Sequence, residues 1–139
     1  MAVNTQFSIA VHIMAGLGCR CDQDTTSGQL AQSVNTSPSF VRRVLAKLSR
    51  AGLVRTATGQ AGACWLGRTP GEITLLDIYR AVDAPKAFAI HGYAAEKHCV
   101  VSCRIKAALE GVLDKTQKSM EASLKRMSLA DVLQDIKAK

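Results

Sequence analysis

A chain of 139 residues fits one domain, or one domain with an appended element, and its formal net charge of +7 favours a polyanionic partner. Hydrophobic residues make up 47% but aromatic ones only 4%, so the core is expected to be Leu, Val, Ile and Ala, which suits packed helices. No apolar run approaches the length of a bilayer span, and the N-terminal apolar stretch is short and interrupted by His12, so neither a membrane segment nor a signal peptide is expected.

A cytoplasmic, reducing location follows as an expectation. Cys19, Cys21, Cys64, Cys99 and Cys103 are then not read as a disulfide framework. In chain order, Asn4 or Thr5 can cap a first helix carrying Phe7, Ile9, Ala10, Ile13, Met14 and Leu17, which fades between Gly16 and Gly18. Cys19 and Cys21 fall in the following loop. Their spacing is shorter than the C-x-x-C of metal and redox motifs, and they are read as incidental.

From Ser27 to Leu53 the chain reads as helix, turn, helix. Ser27 is expected to be the N-cap, with Leu30, Ala31 and Val34 at helical spacing. Asn35 and Thr36 break the pattern. Ser37 then caps a second helix with Pro38 at its first position, where the missing N–H costs nothing. Phe40, Val41, Val44, Leu45 and Leu48 form an inward stripe. Ser39, Arg42, Arg43, Lys47 and Arg50 face out, and Gly52 can take up the left-handed terminating conformation. An apolar back with a purely basic front suits the DNA major groove, where N-terminal residues meet bases and cations meet phosphates. From Thr25 to Gly71 the chain carries Arg42, Arg43, Lys47, Arg50, Arg55 and Arg68 and no Asp or Glu, whereas an ordinary surface mixes signs.

The run around Leu53 to Arg55, a glycine-containing turn, and Ala63 to Leu66 read as a hairpin. Placed directly after a recognition helix, such a hairpin is a wing. Its small, uncharged tip, including Thr58, Gly59 and Gln60, can enter the minor groove or follow the backbone, and Arg55 and Arg68 at its bases favour phosphate. Cys64 is read as a small core residue. Thr74 to Asp77 resembles a capping box opening a helix with Leu75, Leu76, Ile78, Tyr79 and Val82, ended by Asp83 and Pro85. Ala84 to His98 has no firm periodicity.

A long helix is expected from about Ser102 to Arg126. Ile105, Leu109, Val112, Leu113, Thr116, Met120 and Leu124 are its candidate dimerisation residues. At 1.5 Å per residue it reaches about 38 Å, more than so small a domain needs for its own core. Pairing is the economical use of that length, since a dimer reads a longer site. Ser128 to Asp131 is a second capping box, opening a short last helix. The expected division is 1–83 for DNA binding, 84–101 for a sensor or linker loop, and 102–139 for the dimerisation and C-terminal helices.

The order of these parts resembles the Rrf-two family of bacterial winged-helix regulators, which includes iron–sulfur, nitric-oxide and cysteine-metabolism regulators. The resemblance rests on QLAQSVNTSPSFVRRVLAKLSRAGLV (Gln29 to Val54), TGQAGACWLGR (Thr58 to Arg68) and EITLLDIYRAVD (Glu72 to Asp83), and covers nearly the whole chain. It implies a mainly α, homodimeric winged helix-turn-helix protein with a small two-stranded wing and a long C-terminal dimerisation helix. It carries DNA contacts onto the recognition helix (Ser37, Ser39, Phe40, Arg42, Arg43, Lys47) and onto the wing around Thr58 to Gly62. Ser27, Arg50, Arg55 and Arg68 complete the candidate interface. Two departures matter. Cluster-binding members have three cysteines before and at the start of the long helix, where this chain has Cys99 and Cys103. The family's Arg-Gly-Pro-Gly-Gly-Gly wing is reduced to the run from Thr58 to Ala63.

Three readings of Cys99 and Cys103 stay open. One is a thiol switch, in which the helix dipole, Arg104, Lys97 and His98 favour the reactive thiolate. A second is an iron–sulfur or zinc site completed by His91 and His98, although this spacing matches no strong pattern. The third is a pair of small residues at a loop–helix junction. With two cysteines in that region no cofactor is expected. No Ser/His/Asp set, paired carboxylates or phosphate-binding loop points to an enzyme. The sequence therefore predicts a homodimeric, sequence-specific DNA-binding regulator, a repressor acting on a two-fold operator, with an architectural DNA-binding protein as the alternative.

Overall fold

The computed structural model describes residues 4–20, 23–57 and 62–138. At its centre is α1 (Gln6–Cys19), whose Ala10, Ile13, Met14 and Leu17 are buried. Thr5 is the N-cap but makes no side-chain cap bond; Asn4 Oδ1 accepts from the Gln6 N–H at 2.9 Å instead. The helix does not fade at Gly16 to Gly18 but continues to Cys19, so Cys19 closes the helix instead of lying in a loop. Packing overrides glycine's weak propensity here. A Cβ on Gly18 would stand 2.6 Å from Leu133 Cδ1, so any larger residue there would push Leu133 out of its seat. Cys21 lies outside the described residues.

Helices α2 (Ser27–Val34) and α3 (Pro38–Arg50) form the helix-turn-helix. The N-cap of α2 is Thr26, not Ser27. Thr26 and Gln29 close a reciprocal capping box, leaving Ser27 as the first helical residue. Asn35 ends α2 in the left-handed conformation at φ 68. Ser37 Oγ accepts from the Phe40 N–H at 3.2 Å and Pro38 opens α3, as the sequence predicts. Gly52 takes φ 78 just beyond α3, a conformation that lets the chain turn at once into the wing.

The wing pairs β2 (Val54–Thr56) with β3 (Ala63–Leu66), Arg55 opposite Trp65. A third strand, β1 (Thr25–Thr26), completes an antiparallel sheet of order β1-β3-β2. The sequence reading missed β1, because two threonines carry no strand period of their own. They are held by a partner 39 positions on, Cys64, whose thiol donates to the Thr25 carbonyl at 3.2 Å. Thr58, Gly59 and Gln60 lie outside the described residues.

Beyond the wing, α4 (Leu75–Ala81) opens on the Thr74–Asp77 capping box and α6 (Leu129–Lys137) on the Ser128–Asp131 box. The two helix starts are stitched together: the Leu75 N–H donates to Met127 O at 2.9 Å, and the Leu129 N–H to Ile73 O at 2.8 Å. Leu129 and Leu133 are thereby placed in the same core as α1 and α3. Between these helices runs α5 (Val100–Lys125), beginning two residues before the expected start. Its C-terminal end returns to the core through Leu124. Among the described residues no helix is long and apolar enough to cross a membrane.

Candidate nucleic-acid interface

The surface begins with how α3 is held. Val41, Val44, Leu45 and Leu48 are buried, fixing the helix about its axis and turning Ser39, Arg42, Arg43 and Arg50 to solvent. Lys47 is half-buried. Phe40 is not wholly inward either: the Arg43 guanidinium stands 5.5 Å from its ring centroid, a cation–π contact that steadies a long flexible side chain.

Between α3 and the wing lies a crevice of about 610 Å³. Its lining includes Arg42, Ala46, Ser49 and Arg50 from α3, Ser27 from the start of α2, and Thr56 at the wing base. Ala46, Ser49 and Thr56 were not among the residues the sequence singled out. The signal existed, since positions 42, 46, 49 and 50 share one helical face. Cys64 closes the floor of the crevice. It is 1% exposed, and burial pushes its thiol up to about 11. Such a thiol is a packing residue, not a nucleophile.

Among the described residues, Arg42, Arg43, Lys47, Arg50 and Arg55 have no acidic side chain within salt-bridge distance. The acid-free stretch of sequence is thus also a surface of uncompensated positive charge. Arg68 differs. It stands 3.8 Å from Asp77, which the fold brings over from α4.

A second cluster lies where the 84–99 segment meets α5. Cys99 is the N-cap of α5, and its Sγ accepts from the Ser102 N–H at 3.4 Å. The Cys103 thiol donates to the Glu96 carbonyl at 3.4 Å, and Ser102 Oγ accepts from the Glu96 N–H at 2.7 Å. Both cysteines are exposed, and both brace the turn leading into the helix. His91 Nδ1 accepts from the Tyr93 N–H, and the two rings lie 5.5 Å apart. Among the described residues no three His, Cys, Asp or Glu side chains converge to hold an ion.

The candidate dimerisation residues are split by the fold. Val112 is 56% exposed and Thr116 is exposed, while Ile105, Leu109 and Met120 are half-buried. Leu113 lines a cavity of about 780 Å³ beneath Pro85 to Ile90, and Leu124 packs on the chain's own core.

Residues 3–135 match the family model of Rrf2, described as iron-dependent transcriptional regulator. YwnA of Bacillus subtilis, grouped with the HTH-type transcriptional regulators, is 36% identical over 132 residues, covering 94% of this chain and 96% of YwnA. A crystal structure of a DNA-binding protein superposes with a TM-score of 0.74 at 34% identity, over 92% of this chain and 98% of that one. CymR, the global cysteine regulator of B. subtilis, shares the fold with a TM-score of 0.68 at 22% identity, over 96% and 97% of the two chains.

Proposed function

The chain belongs to the Rrf2 family of winged-helix, DNA-binding transcriptional regulators, a family of non-enzymatic proteins, and from that premise we propose that it acts in the cytoplasm as a homodimeric repressor of a two-fold operator. The observation that carries this reading is the exposed cationic set Arg42, Arg43, Arg50 and Arg55, none within salt-bridge distance of an acidic side chain among the described residues, with Arg42 and Arg50 lining the crevice between α3 and the wing. In this reading α3 enters the major groove. Arg42 and Arg43 reach base edges, while Lys47, Arg50 and Arg55 meet phosphates. Ser27, Ser37, Ser39 and Phe40 lie along the same approach, and the wing tip from Thr58 follows the adjacent backbone. Arg68 contributes at the far base of the wing, where its charge is shared with Asp77.

Pairing is supported by α5. Val100, Val101 and Val112 are 68%, 66% and 56% exposed, an amount of open apolar surface that a second copy would cover. Ile105, Leu109, Val112 and Thr116 are the seam we assign to the partner, with Met120 at its end. DNase footprinting on DNA selected from a random pool tests the whole reading. A protected two-fold site is the expected result, and uniform protection without a defined site would favour an architectural protein instead.

Within this reading Cys99 is a redox sensor. A peroxide or hypochlorite oxidises its thiolate to a sulfenic acid, and a second thiol, Cys103 or one from the partner, displaces water to form a disulfide. A disulfide to Cys103 removes the S–H that donates to the Glu96 carbonyl, and a disulfide to the partner draws Cys99 away from the Ser102 N–H it caps, so each loosens the entry into α5. Operator binding by wild type should fall on oxidation and recover with thiol, while Cys99→Ser binds normally and does not respond. Equal responses of the two proteins in a gel shift would dismiss Cys99 as the sensor.

A further inference from the structure

The junction between the winged part and α5 is closed by a set of polar contacts that neither DNA binding nor the thiols use. The chain leaves α4 through Asp83, a non-glycine residue held at φ 51, and the Ala84 N–H donates to the Tyr79 carbonyl at 3.1 Å. The Tyr79 hydroxyl donates to the Pro85 carbonyl at 2.5 Å. Gln117 Nε2 donates to that same hydroxyl at 3.0 Å, and Gln117 Oε1 accepts from the Ala87 N–H at 3.0 Å. Both ends of the amide are therefore engaged, one with α4 and one with the departing loop. Gln117 is 8% exposed and is the one buried residue among the 26 of α5. On its far side the Tyr79 ring meets Phe7 of α1 edge-on, with centroids 5.8 Å apart.

A buried amide is a poor source of stability. A leucine of similar size would fill the place with no polar atoms of its own, at the cost of the acceptor that the Ala87 N–H uses. What an amide adds is direction, as a single buried polar side chain fixes the register of paired helices. Here four pieces of chain (α1, α4, the 84–87 turn and α5) converge on two side chains. We propose that Gln117 and Tyr79 form a clasp that fixes the angle at which α5 leaves the winged domain, and thereby the separation of the two recognition helices in the dimer. Both are positioning residues for operator spacing, although neither reaches DNA. The proposal rests on the two-fold reading given above.

Operator spacing tests it. The full chain is used to select an operator from random DNA, and one base pair is then inserted between the half-sites. The insertion turns one half-site by about 34° and moves it by about 3.4 Å relative to the other. Wild type should lose about tenfold or more in affinity for the inserted operator. Gln117→Leu and Tyr79→Phe should bind the original within about threefold of wild type, and lose less than about threefold on insertion. A general packing defect would weaken binding to both operators alike, so the ratio between them isolates the positioning role. If wild type is strict and both variants are equally strict, the clasp is overturned while the dimer stands. If wild type itself binds both operators equally, the two-fold reading falls and the clasp falls with it. Tyr79→Phe removes one oxygen and keeps the ring on Phe7, so it carries the test even where Gln117→Leu does not fold.

Discussion

At the scale of single residues, neighbouring side chains of one type take up different work. Cys64 and Cys99 are both free thiols, yet one is buried within the wing strand β3 and the other caps the start of α5. Mild alkylation of the native protein should label Cys99, Cys103 and Cys19 and spare Cys64, which peptide mass spectrometry reads directly. Cys64 should also give stability a pH dependence. Its ordinary value of 9.0 is raised to about 11, so above pH 9 the unfolded thiol ionises while the folded one holds its proton. The unfolded state then binds fewer protons, and stability falls as pH rises from 9 to 11 by at most about 1.4 kcal/mol per pH unit. Relative to Cys64→Ala in urea titrations, wild type should show this extra slope in that window and none below it. The arginines divide in the same way. Arg42→Ala or Arg43→Ala should cost about 1–3 kcal/mol in operator binding and relax the preference at the base each reads. Lys47→Ala should weaken every sequence alike and lower the salt slope by about one unit, a phosphate signature. Normal affinity in the Arg42→Ala/Arg43→Ala double variant would remove α3 from the groove.

At the scale of elements, α5 and α6 do separate jobs although the sequence presents them as one tail. Leu129 and Leu133 complete the core beside α1, and the stitched capping boxes tie α6 to α4. Leu129→Ala should therefore destabilise the winged domain itself by about 2–5 kcal/mol, as for any fully enclosed leucine. Circular dichroism during urea unfolding would show it, and an unchanged midpoint would mean that α6 is an accessory. Removing everything after residue 101 should unfold the DNA-binding part instead of releasing it as a stable monomer. Val112→Asp acts elsewhere. It places a charge on exposed helix surface, so the monomer should keep its fold while pairing fails. Sedimentation at micromolar concentration should find wild type dimeric and Val112→Asp monomeric. A monomeric wild type would end the assignment of α5 as the dimer helix.

At the scale of the whole molecule, the proposed interface, the clasp and the thiol-braced turn draw on both local and long-range contacts. The local part was legible in the chain. Ser37 and Pro38, the boxes at Thr74 and Ser128, the stripe from Val41 to Leu48 and the hairpin from Val54 to Leu66 all declare themselves within a few residues, because caps, helical periods and turns are short-range physics. The unbroken run of cations from Arg42 to Arg68 also belongs to the sequence alone, since charge sign needs no fold to be read. Contacts between distant segments had to wait for the tertiary structure. The pairing of Thr25 with Cys64, the seat of Leu133 on Gly18, the ion pair that Asp77 gives Arg68 and the closure of Gln117 on Tyr79 join residues between 9 and 115 positions apart. None leaves a periodic trace. Gln117 in particular reads as a surface residue on a polar helix, and only the turn at Pro85 folded against it makes it buried and bonded at both ends of its amide. Local propensity thus determined which elements form and which face is positive, while packing of remote segments decided where α1 ends, which helix completes the core, and how α5 is aimed.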